Sequence, residues 1–208
     1  MKKLTPTATN ATWLSEFVER NNQSVNAFWK ELADSCANPQ ETGLFLKAKS
    51  QKGNKNPSVF YGLFKDESFI GVFECSPRDT TIHLNMLVDK AMTGKGYASE
   101  ALRLLERELF KRGAEEIRIE CSGYNRETPI IATNNVYRRA TAEQPHFSDQ
   151  FYHLDAESPE AKTYFKTFSD YAVGKFGKES FLPQEEGKKN ELSSCARQML
   201  EEKSNSRS

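Results

Sequence analysis

Cysteine is scarce and scattered in this chain. Its four copies in 208 residues are Cys36, Cys75, Cys121 and Cys195. No two of them form a CxxC pair, which argues against a zinc ribbon or a redox dithiol. Their wide spacing reads as reduced, buried thiols in a cytoplasmic protein. Histidine is rarer still. His83, His146 and His153 share no metal-ligand spacing, so no metal is expected. Net charge is also missing, because 29 basic residues balance 29 acidic ones. That excludes a global pull toward nucleic acid or anionic lipid. No apolar run approaches the ~20 residues of a membrane span. The start, Met1 to Pro6, lacks the apolar core of a signal peptide. The expectation is a soluble cytoplasmic protein, a monomer or homodimer, with no nucleic-acid or membrane partner.

Aromatic residues, by contrast, are plentiful. Fourteen Phe, seven Tyr and two Trp supply the buried area that offsets chain entropy. Apolar residues recur at three- and four-residue steps through 12–34, which predicts helix, with a break at Asn21-Asn22. Residues 49–57 read as a basic, turn-rich loop. Val59–Lys65 and Phe69–Cys75 flank a short polar turn and read as a β-hairpin. After a turn at Pro77-Arg78-Asp79, a third strand runs from Thr81 to Val88. Ile82, Leu84, Met86 and Val88 take one face, and His83, Asn85 and Leu87 the other.

The pattern then changes. Tyr97–Lys111 is helical, with a stripe of Ala98, Ala101, Leu102, Leu105 and Leu109 and with Glu106 among the polar positions. Gly113 suits its C-terminal end. Glu116–Ser122 reads as a strand, which completes a βαβ-like unit. Residues 126–135 read as a short helix, and 136–142 and 150–154 as two strands. Residues 159–172 read as a helix capped by Ser158, with Pro159 in its first turn. From Gly174 onward the sequence is polar. One amphipathic island remains there: Leu192, Cys195, Ala196, Met199 and Leu200. Residues 1–174 are therefore the expected domain and 175–208 a tail.

The segment that carries chemistry joins the third strand to the long helix. Gly94 and Gly96 allow a tight turn and a close backbone approach. The helix's first N–H groups then form a cradle for an anion, reinforced by the helix dipole. Lys95 is not followed by Ser or Thr, so this is no P-loop. Ser99 stands where a dinucleotide fold needs its third glycine.

The run Gly94-Lys95-Gly96-Tyr97-Ala98-Ser99-Glu100-Ala101-Leu102 resembles the GKGYA(T/S)EAL signature of the GCN5-related N-acetyltransferases, in their Rim-type branch. That branch includes ribosomal-protein N-terminal acetyltransferases. A second block agrees: Glu120 stands five residues before Asn125, and Thr128 three after it. The sequence departs from the pattern at Ala91, where a Gln or Arg is usual. It departs again at Ala132, in the place of a common catalytic tyrosine, and at Val136-Tyr137, in the place of a Gly-Phe pair.

The resemblance implies an α/β acyl-CoA N-acyltransferase fold: a mixed, mostly antiparallel sheet flanked by helices and splayed where the cofactor enters. It implies acetyl-CoA as cosubstrate and a primary amine as acceptor: a protein N-terminus, a lysine or a small molecule. The backbone of Leu87 and Val88 would pair with the pantetheine arm, and Asn125 would hydrogen-bond it. Thr93, Gly94, Lys95, Gly96, Tyr97 and Ala98 would hold the diphosphate. Glu120 would be the general base for direct attack. Thr128 or Tyr137 would serve the leaving sulfur, and His83 and Asn85 would line the acceptor site. Two other classes stay open: a coenzyme A-binding module without catalysis, and a partner-binding protein acting through its tail.

Overall fold

The computed structural model describes residues 1–51, 57–121, 125–140 and 162–176. A short edge strand β1 (Lys2–Leu4) leads into α1 (Ala8–Arg20), α2 (Asn22–Phe28), α3 (Lys30–Ser35) and α4 (Pro39–Ser50). Strands β2 (Val59–Lys65), β3 (Ser68–Arg78) and β4 (Thr81–Val88) follow as a meander. A single turn of 3-10 helix at Lys90–Met92 precedes α5 (Tyr97–Lys111), β5 (Glu116–Cys121), α6 (Glu127–Asn134), β6 (Arg138–Arg139), β7 (Lys162–Thr167) and α7 (Phe168–Phe176). The sheet order is β1-β2-β3-β4-β5-β7-β6, and only the β4–β5 pair is parallel. This is the mixed, mostly antiparallel sheet that the sequence implied.

Each face of the sheet carries its own core. Leu14, Phe17, Val25, Trp29, Leu32 and Phe45 pack with Phe60, Phe69 and Val72 beneath α1–α4. On the opposite face, Leu102, Leu105, Leu109 and Phe110 of α5 pack on Phe73, Leu84, Ile117 and Ile119. The helix breaks follow local chemistry. Thr7 caps α1 by accepting from the Asn10 N–H. Asn21 ends α1, as expected. Trp29 adds a second break between α2 and α3, with φ −153° and ψ 66°. α4 begins at a capping signal that the periodicity did not reveal: Asn38 accepts from the Glu41 N–H at 2.9 Å, and Pro39 occupies the first turn. The expected loop at 49–57 is thus helix at its start, and residues 52–56 lie outside those described.

Most central elements stand where expected. The hairpin turn places Asp66 and Glu67 at positive φ, and β4 and α5 span the predicted residues. β3 runs on to Arg78, so the turn falls at Asp79-Thr80, with Asp79 at φ 50°. Gly113, at φ 92°, ends α5 in a Schellman arrangement: its N–H reaches Phe110 O, and that of Ala114 reaches Leu109 O.

The helix predicted over 159–172 is corrected. Lys162–Thr167 is strand β7, and helix begins only at Phe168. The cause is tertiary: β5 has an open side, and β7 fills it antiparallel from Glu116↔Thr167 to Cys121↔Lys162. The Asp170 carboxylate accepts from the Thr167 N–H and hydroxyl and so fixes the helix start. Residues 158–161 lie outside the described set, as do the predicted strand at 150–154 and the island at 192–200. Of the strand predicted over 136–142, residues 141–142 lie outside those described, and among the rest only Arg138–Arg139 is strand, because Val136 turns the chain at φ 62°. Glu106 is buried rather than solvated. It faces Lys166 of β7 at 2.9 Å, and Lys166 also donates to Asn135 O at 2.7 Å.

Candidate active site

The loop after β4 supplies the cradle. Gly94 and Gly96 take left-handed φ values of 73° and 81°. An L-residue pays about 1–2 kcal/mol for that conformation. A Cβ built at either glycine meets nothing within 4 Å, so the space above the loop is open. Gly96 places the first turn of α5 without any side-chain cap. The orphan N–H groups of that turn therefore face open space at the positive end of a fifteen-residue helix. This arrangement fits the diphosphate of coenzyme A. Lys95 points back over the loop and donates to Ala91 O at 2.9 Å.

The loop is tied to the first helices. Arg20 Nε bonds Asp89 Oδ2 at 2.7 Å, and Arg20 also donates to Phe69 O. Burial by itself would raise the Asp89 carboxyl; bonds from Arg20, the Ala91 N–H and Asn21 outweigh it and hold the group below its ordinary value. Buried Asn21 does two things. Its Oδ1 accepts from the Lys90 N–H at 3.0 Å, and its Nδ2 donates to Phe17 O at 3.0 Å.

The sheet opens beside this loop. β4 and β5 pair from Thr81↔Glu116 to Leu84↔Ile119 and then part. The ladder with β5 ends there, while β4 runs on to Val88. A cleft of about 400 Å³ lies there, lined by Leu87, Val88, Tyr97, Asn125, Thr128 and the glycine loop. At its inner end a narrow continuation reaches Asn85, Ile119, Glu120 and Trp29, and Phe28, Asn125 and Thr128 border both spaces.

The inner end is polar and buried. His83, Asn85 and Glu120 surround a small recess. His83 Nδ1 lies 3.9 Å from Glu120 Oε1. Burial, then the positive charges of Arg118 and Arg78, lower the His83 pKa to about 4. At neutral pH the imidazole is therefore uncharged, and its contact with Glu120 is a polar one rather than an ion pair. Glu74 sits directly across β3 from Asn85. Its Oε2 accepts from Asn85 Nδ2 at 3.2 Å.

Of the residues predicted to act, the structure gathers Leu87, Val88, the loop, Asn85, Glu120, Asn125 and Thr128 around one opening. Asn125 Oδ1 accepts from the Glu127 and Thr128 N–H groups at 3.1 and 2.9 Å, so Asn125 caps α6. That frees the Thr128 side chain from capping, and it lies at the inner end of the cleft. Tyr137 lies elsewhere. The turn at Val136 sends it into the core under α5, with Lys166 Nζ 5.3 Å from its ring centre. Burial, then the Glu106 carboxylate, raises its phenol well above the ordinary value. Burial likewise pushes the Cys121 thiol up to about 11 and Cys36 to about 12, which suits structural thiols rather than nucleophiles. Among the described residues, no His/Cys/Asp/Glu group could hold a metal ion, and no helix is long and apolar enough to cross a membrane. Asn21, Phe28, Trp29 and Glu74 escaped the sequence reading. A capping-type asparagine at the helix break was the one local signal for any of them.

The profile of the acetyltransferase (GNAT) family matches residues 14–128. The chain belongs to that family and is an acetyl-CoA-dependent N-acetyltransferase. Its fold is shared with Rim-type enzymes. One similar structure is RimL, a ribosomal L7/L12 alpha-N-protein acetyltransferase in complex with coenzyme A, at TM-score 0.64 and 16% identity, covering 81% of this chain and 94% of that one. Another is an acetyltransferase from Salmonella typhimurium that modifies the N-terminal serine of ribosomal protein L7/L12, at TM-score 0.62 and 16% identity, covering 78% and 92%. A third is the microcin C7 self-immunity acetyltransferase MccE in complex with acetyl-CoA and AMP, at TM-score 0.61 and 16% identity, covering 79% and 91%. No curated protein sequence matches the chain.

Proposed function

We propose that this enzyme acetylates the α-amino group of a protein or peptide, by direct attack at the inner end of the cleft. The observation that carries this is the placement of Glu120 and Thr128 together where β4 and β5 part. Acetyl-CoA enters from the glycine-loop side, so its thioester reaches the junction of cleft and continuation. Glu120 takes a proton from the amine, and neutral His83 beside it supports that carboxylate. The C–N bond forms, the C–S bond breaks, and the sulfur receives its proton through the Thr128 hydroxyl from solvent. The likeness to alpha-N-protein acetyltransferases favours an N-terminal amine over lysine.

The test pairs a peptide bearing a free N-terminus with one blocked there and carrying an internal lysine. Mass spectrometry should find acetyl on the α-nitrogen of the first. Acetylation of the lysine peptide alone overturns the α-amine acceptor. Glu120→Gln should lower kcat by about a hundredfold to ten-thousandfold. Saturating acetyl-CoA, at a hundred times its Kd, should still stabilise that variant by about 2.7 kcal/mol.

A further inference from the structure

Coenzyme A extends in two directions from its diphosphate. With the pantetheine arm in the cleft beside Leu87, Val88 and Asn125, the adenosine and its 3′-phosphate have to leave the glycine loop another way. A second space meets the cleft at that loop, and Gly96 and Asn134 border both. It is a groove of about 890 Å³ between α5, the end of α6 and α7.

α5 turns one face toward this groove. Gly96, Glu100, Arg103, Leu104 and Arg107 follow at helical steps, and all of them line it. The stripe of Ala101, Leu102, Leu105 and Leu109 is buried on the other side. Arg103 is exposed, and its side chain lies back along the helix, with Nε 3.4 Å from Ser99 O. Long helical side chains lean toward the N-terminus in this way. The guanidinium is thereby carried to within about one turn of the first N–H groups of α5. Only the ribose separates the diphosphate of coenzyme A from its 3′-phosphate, so that phosphate falls within reach. Arg107 stands a further turn away, about 6 Å along the axis. Lys95 is turned back over the loop onto Ala91 O at 2.9 Å.

The rest of the groove fits the same ligand. Lys166 meets Glu106 at 2.9 Å, and Asp170 meets Arg138 at 2.8 Å. Glu100 lies on the same face of α5 as Arg103 and nearer the loop. Its charge opposes a phosphate there, which leaves Arg103 to offset it. Leu104 and Val136 add exposed apolar surface on which a purine can lie.

We infer that Arg103 reads the 3′-phosphate of acetyl-CoA and so makes the enzyme prefer the whole cofactor to its 3′-dephospho form. The guanidinium is a rigid fork of N–H donors that matches phosphate oxygens. The inference rests on the diphosphate lying at the glycine loop and the pantetheine arm taking the cleft.

Calorimetry on the full chain gives the Kd of coenzyme A and of 3′-dephospho-coenzyme A, with no acceptor present. The wild type should bind coenzyme A about tenfold more tightly, the worth of one charge-assisted hydrogen bond at an exposed site. Arg103→Ala should lose that preference by weakening coenzyme A alone, with dephospho-coenzyme A unchanged. Arg103→Lys should keep part of it, and Arg107→Ala all of it. The preference should shrink as salt rises, as exposed charge pairs do. Matching thermal midpoints check that the variants are folded. Equal affinity of the wild type for the two ligands, a preference that survives Arg103→Ala, or equal weakening of both ligands in that variant would overturn the inference. A wild type that binds neither ligand overturns the placement of the cofactor itself, and the inference with it.

Discussion

The two sides of the opening between β4 and β5 are built from different material. On the cofactor side the working groups are backbone: two glycines in left-handed conformation and the uncapped first turn of α5. They lie within one short stretch of chain. At the inner end, where we propose that the acceptor binds, the polar groups are side chains, and they come from β4 and β5. A diphosphate needs only N–H groups and a dipole, which any sequence can supply once its glycines allow the turn. Moving a proton from an amine needs particular functional groups at particular depths, and only strand register brings those together.

Three variants separate the two kinds of construction, in decreasing size of effect. The double variant Gly94→Ala, Gly96→Ala should weaken acetyl-CoA binding by about thirtyfold to a thousandfold, since each left-handed residue costs about 1–2 kcal/mol. Calorimetry would show it, and an unchanged Kd would mean that the cradle does not depend on this backbone.

His83 gives the next effect, and it appears in stability rather than binding. Its folded pKa of about 4 lies below the ordinary value of 6.5. Between those values the unfolded chain binds a proton that the folded chain refuses, so stability falls as the pH drops from 6.5 toward 4. Because the ring retains some access to solvent, the loss attributable to it is about 2 kcal/mol rather than the full linkage value. Denaturant titrations at pH 7 and pH 4 should show His83→Gln losing that much less than the wild type.

The smallest effect belongs to Asn21, which is attached to both α1 and the loop. Asn21→Ala removes the acceptor of the Lys90 N–H and should cost about 1 kcal/mol in thermal stability. It should also reduce the shift given by acetyl-CoA. A variant with full cofactor response would show that the loop holds its shape unaided.

The same contrast decides what the sequence revealed. The glycine loop, β4 and α5 were legible because their signals are local: a helical stripe, alternating strand residues and two glycines close together. Glu120 and Thr128, which line one space, could be picked out as candidates through their spacing around Asn125. Glu74 could not, because nothing near it in the chain announces that Asn85 lies across from it. β7 was misread as helix for a related reason. Tyr164, Phe165 and Phe168 recur at helical steps, but the open side of β5 outweighs local preference. That Tyr137 packs in the core was not legible, because the positive φ at Val136, a β-branched residue, is not something its sequence suggests.

The parting of β4 from β5 also changes what kind of object the sheet is. An open sheet ordinarily has two edges, and this one gains an interior pair that begins past Leu84 and Ile119. Exposed strand edges invite other chains and lead to aggregation. Here the invitation is issued indoors, with Phe28 and Trp29 at the threshold and the glycine loop across the other side. A slender extended molecule carrying amide groups suits such an edge, and so the most hazardous feature of a β-sheet becomes a means of choosing what may dock along it.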